Sequence, residues 1–145
     1  MPDIIKIVIK GTSGYGCMDE AYNDKVTISS DSIAYEYIPF LETELHPKRK
    51  WSYKTDSPLF KVLYSRVVEM LPRYLEGDIE HFCTDVGGIE FIVTYSNKSK
   101  YKNIFWVPGD DFIDLFRVIK HMIPTTEYTP AVLFTSEDFD DEEDQ

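Results

Sequence analysis

The sequence has little cysteine, little histidine and no long apolar run, and each shortage removes a class of protein. Cys17 and Cys83 stand 66 positions apart, and the chain holds three histidines. No Cys-x-x-Cys or His-x-x-x-His spacing occurs, so a zinc-ribbon or disulfide scaffold is not expected, and neither is a bound metal. The first residues, MPDIIKIVIKG, alternate in polarity and show no secretory pattern. Both thiols are therefore expected to be reduced in a cytoplasmic protein. No segment approaches the ~20 apolar residues of a membrane helix, and no membrane association is expected. Bases are also scarce: 15 Lys and Arg stand against 26 Asp and Glu, a net charge of −11. Contact with a nucleic-acid backbone needs clustered cations. Lys48-Arg49-Lys50 is too short a cluster, so direct nucleic-acid binding is not expected.

What is present suits one globular domain. The chain has 145 residues, 43% of them hydrophobic and 14% aromatic, enough to bury a core without metal or disulfide. The acidity is uneven. Residues 135–145, TSEDFDDEEDQ, carry seven acids and no base, which leaves 15 − 19 = −4 over residues 1–134. The reading is a single domain over 1–134, followed by an acidic tail over 135–145 with the composition of a disordered, solvated segment.

The polarity pattern gives the element order. Ile4 to Lys10 reads as a strand with Ile5, Ile7 and Ile9 on one face. A glycine-rich loop covers 11–24. Lys25–Ser29 and Ile33–Ile38 form a hairpin about Ser29-Ser30-Asp31-Ser32, and Trp51 and Tyr53 share one side of a short strand. Ser57 and Pro58 open a helix whose stripe is Phe60, Leu63, Tyr64, Val67, Met70 and Leu71; Pro72 is expected to end or kink it. A lead-in strand is expected at His81–Thr84. Ile89, Phe91, Val93 and Tyr95 alternate, a turn follows at 96–99, and Tyr101–Val107 returns. A second helix starts near Gly109-Asp110-Asp111 and stops at Pro124, and Ala131–Phe134 reads as an edge strand. The fold class is α+β: a mostly antiparallel sheet of about five to seven strands with two amphipathic helices packed on one face.

Three residue groups bear on function. The loop GTSGYGCMDE follows a strand, but lacks the Gly-Lys-Ser/Thr ending of a phosphate loop, so no nucleotide or other cofactor is expected. Tyr15, Asp19 and Glu20 on that loop, with Trp51 and Trp106, are candidate binding residues for a protein partner. Cys17, His81, Cys83 and Asp85 form the second group. A thiolate, an imidazole to deprotonate it and a carboxylate to orient the ring would make a nucleophilic site, and two thiols with an imidazole could instead hold zinc. His81, Cys83 and Asp85 would share one face of a strand. The third group is the acidic surface, which could imitate a nucleic-acid backbone and occupy a basic groove on a partner.

The stretches VIKGTSGYGC, RKWSYKTDSP and YTPAVLFTSEDF resemble small uncharacterised cytosolic proteins of Gram-positive bacteria. That resemblance implies a bacterial cytosolic protein and brings no activity or site residues. The functional expectation is a non-enzymatic, protein-binding interaction or regulatory module using loop 11–24. A Cys/His-dependent enzyme or metal site and an acidic nucleic-acid-mimicking inhibitor are the alternatives.

Overall fold

The computed structural model describes residues 3–12, 22–39, 47–75, 88–105, 109–127, 129–133 and 135. Six strands form one sheet: β1 (Ile4–Thr12), β2 (Tyr22–Ser29), β3 (Ser32–Pro39), β4 (Arg49–Lys54), β5 (Ile89–Tyr95) and β6 (Lys100–Phe105). Their order across the sheet is β4-β3-β2-β1-β5-β6, and every neighbouring pair is antiparallel. The helices are α1 (Pro58–Leu75) and α2 (Ile113–Lys120). This is the expected α+β class.

One sheet face builds the core. Ile7, Ile9, Val26, Ile28, Ile33, Tyr35, Phe91 and Val93 are buried there with Phe60, Val67, Leu71, Leu115, Phe116 and Ile119 from the helices. Tyr53 meets Phe60 edge-on at 6.2 Å, and Phe112 packs on Phe91 and Phe105 at 5.2 and 5.6 Å. Both helices therefore lie on the same side. The hairpin register pairs Ile28 with Ile33 and Val26 with Tyr35 around a two-residue turn, Ser30-Asp31, as the alternation predicts. Val8 is buried on the other face, only 7% exposed, and stays outside the core cluster.

Four local expectations change. Ile5 does not share the face of Ile7 and Ile9: the pairing of β1 with β5 slips between Ile4 and Lys6, and Ile5 is left 49% exposed. A bulge adds one residue, which breaks the period-2 rule where pure alternation cannot show it. Pro72 does not end α1, which continues to Leu75. The buried Leu71 and the ring of Tyr74 on Phe112 hold the last turn against the cost of the missing N–H. Ala131–Leu133 is a 3-10 turn, not an edge strand, closed by the Leu133 N–H on the Pro130 carbonyl at 3.0 Å. The glycine loop is shorter than 11–24, because β1 runs through Gly11-Thr12 and β2 begins at Tyr22. The expected strand at His81–Thr84 and the tail from 136 onward lie outside the described residues. Among the described residues no helix is long and apolar enough to cross a membrane.

Candidate functional site

The strand register places the roots of four chain segments at one end of the sheet. Thr12 pairs with Asn23, Tyr22 with Pro39, Tyr37 with Arg49, Gly11 with Ile89, and Ile89 with Phe105. Segments 13–21, 40–46, 76–87 and 106–108 all adjoin this end. Thr12 and Gly88 are tied in both directions: the Thr12 N–H donates to the Gly88 carbonyl, and the Gly88 N–H donates to Thr12 Oγ1, each at 3.0 Å.

A groove of about 330 Å³ opens here on the helix-free side. Its lining includes both stems of the glycine loop, Gly11-Thr12 and Asn23-Asp24, together with Lys10, Lys25, Glu36, Ile38, Glu90 and Ile104. Ile38 and Ile104 are exposed apolar residues at its two sides. Buried Asn23 Oδ1 has no hydrogen-bond partner among the described residues. The groove thus combines free acceptor capacity, opposed charges and apolar flanks, the composition of a recognition surface.

Asp24 anchors this end from the core side. It is 3% exposed, and its Oδ2 accepts from the Tyr35 hydroxyl at 2.8 Å and the Val132 N–H at 2.9 Å. Burial pushes its carboxyl above the ordinary 3.8, while those two hydrogen bonds pull the other way. Burial, with Asp24 and then Tyr37 adding to it, pushes the Tyr22 hydroxyl up to about 12. The Tyr22 ring stacks on Tyr37 at 5.0 Å, and the Arg49 guanidinium lies 4.9 Å over Tyr37. Asp24 therefore carries one strand-to-turn joint rather than an exposed charge in a loop. Its phase with Val26 and Ile28, two and four residues on, was the sequence signal for a core-facing position.

Of the sequence candidates, Trp51 alone lies within the described residues. It is 8% exposed and packs on Tyr35 at 6.0 Å, a core role that leaves little ring surface for a partner. Tyr15, Cys17, Asp19, Glu20, His81, Cys83, Asp85 and Trp106 lie outside the described residues, on segments that adjoin the groove end. Among the described residues no group of three or more His, Cys, Asp or Glu is placed to hold a metal. Sequence reasoning missed Lys10, Lys25 and Asn23, because only the pairing of β1 with β2 gathers them. Compared with family models, curated proteins and solved structures, the chain matches none.

Proposed function

We propose that the chain is a non-enzymatic protein-binding module whose main contact is the segment 11–24. The observation behind this reading is that both stems of that segment line the groove. The neighbouring segments give the partner's chemistry. Residues 13–21, 40–46 and 76–87 hold Asp19, Glu20, Glu42, Glu44, Glu76, Asp78, Glu80 and Asp85, and no Lys or Arg. Acids in such number without a base favour a basic protein surface and steer its approach, with an on-rate that falls as salt rises. If the partner's basic surface is itself a nucleic-acid site, the same contact makes the chain an inhibitor by charge mimicry.

The test is Tyr15→Ala and the pair Asp19→Lys with Glu20→Lys. A partner captured by the wild-type protein from its source cells is purified, and its Kd is measured against each variant. Unchanged circular dichroism with affinity lowered at least about tenfold, or 1.4 kcal/mol, supports the reading. Equal affinity for wild type and both variants removes segment 11–24 from the interface.

One observation favours a second reading, a Cys/His-dependent site. Cys17 follows Thr12 by five residues and Cys83 precedes Gly88 by five, and those two roots are hydrogen-bonded to each other. Five residues reach about 17 Å, so the thiols are within chain reach of one another and of His81 and Asp85. A thiol activated by His81 alkylates faster than free cysteine near neutral pH, and His81→Ala would remove the excess. Ordinary thiol rates with no bound zinc by elemental analysis would eliminate this reading.

A further inference from the structure

Among the described strands, lysine is concentrated on one face of the sheet. Opposite the helices, Lys50, Glu36, Lys25, Lys10 and Glu90 follow one another across the sheet as register partners. Lys102 stands opposite Ile92, Lys54 opposite Ser32, and both Lys6 and Lys100 opposite Thr94. The described residues of this face thus hold seven lysines and two glutamates, 7 − 2 = +5, in a chain of net −11. Among the described residues one ion pair spans the face, Lys102 to Glu90 at 3.6 Å.

Between the lysines the floor is made of short or apolar side chains, Val8, Thr27, Ala34 and Ile92. A second depression of about 550 Å³, lined in part by Thr27, Ala34, Lys50 and Ser52, shares Lys25 and Glu36 with the first groove. The two make one path from Gly11 and Asp24 toward the β4 edge.

We infer that this lysine-lined face is the docking surface of the chain's own acidic C-terminal segment, residues 136–145. Its point of departure lies on the helix side of the sheet, at the end where the path starts. The Val132 N–H is bonded to Asp24, which lines the first groove, and Thr135 is buried and bonded to Lys120 Nζ at 3.3 Å. Ten extended residues span about 34 Å, whereas six strands are about 24 Å across, so the segment has the reach to turn the end of the sheet and cross the face. Seven acids and no base in the segment complement the +5 of the face. Tethering supplies a millimolar-range effective concentration, which makes weak, salt-screened pairs count. The inference does not rest on the proposed partner, and its test involves none.

Zero-length carbodiimide coupling of the full chain, followed by peptide mass spectrometry, reads the contact directly. A mixture of isotopically light and heavy protein separates coupling within one chain from coupling between two. The expected result is light–light and heavy–heavy links from residues 137–144 to Lys10, Lys25 and Lys50, lost at about 0.5 M salt. Links spread equally to Lys61 on α1 and Lys98 in the β5–β6 turn would overturn the inference, as would mixed light–heavy links. A poly-glutamate peptide gives an independent reading. The chain cut after Thr135 should bind it at least about tenfold more tightly than the full chain. Equal affinity would mean that the lysines serve only to solvate the sheet and guard its edges.

Discussion

Replacing Asp24 by alanine and by asparagine separates what its hydrogen bonds contribute from what its charge costs. Alanine strips the acceptor from the Tyr35 hydroxyl and the Val132 N–H, both held within 3 Å of Oδ2 and shielded from water. Each buried donor left unpaired costs about 1–3 kcal/mol, so Asp24→Ala should lose about 2–6 kcal/mol, less whatever the removed carboxylate cost to bury. Asparagine keeps an acceptor oxygen and carries no charge, so Asp24→Asn should lose less than alanine at every pH. The sign of the pH dependence follows from burial, which raises the folded carboxyl above its unfolded value. Such a group contributes stability that is fully present below the unfolded pKa and lost as pH rises through the folded one. The wild type should therefore lose stability relative to Asp24→Asn over that window and run parallel to it at higher pH. Urea unfolding of the three proteins from about pH 3.5 to about pH 8 measures both effects. A wild type that gains on Asp24→Asn as pH rises would refute the argument, for its carboxylate would then be better solvated inside than in water. An alanine cost below about 1 kcal/mol at low pH would show that Asp24 does not hold the 3-10 turn.

Two further outcomes test the local packing. Gly11→Ala puts a Cβ against Asp24 Oδ1 and 2.8 Å from the side chain of Val132, with no positive φ at Gly11 to add backbone strain. Thermal or urea unfolding should show a loss of about 1–3 kcal/mol from overpacking, and a neutral result would mean that the 3-10 turn yields freely. Ile5→Lys should stay within about 0.5 kcal/mol of wild type, since the bulge leaves Ile5 half exposed, whereas Ile7→Lys buries an unpaired charge and should prevent folding. Similar losses at both positions would place Ile5 on the core face and remove the bulge.

The local periods were legible without coordinates. Val26 and Ile28 against Ile33 and Tyr35 predict the hairpin, because period-2 alternation and a polar four-residue turn are properties of neighbouring residues. The stripe from Phe60 to Leu71 predicts α1 for the same reason, and it is buried as expected save for the partly covered Leu63. Features that depend on partners far along the chain were not legible. Pairing of β1 with β5 sets the bulge at Ile5 and brings Lys10 beside Glu90, and nothing within eighty residues of Lys10 along the chain announces it. Packing alone decided that α1 passes through Pro72 and that Ala131–Leu133 coils over Gly11 and Asp24 instead of extending the sheet.

The charge shows the division most plainly. Composition determined that the chain is acidic and that its last eleven residues hold seven acids without a base. Tertiary structure decided that the lysines spaced along four strands meet on one face, because each strand sends alternate residues to the same side and register aligns them with their neighbours. A sum over the sequence counts those lysines against the acids. The sheet gathers seven of them with two glutamates on one face of its described strands, and that gives an acidic chain a cationic surface.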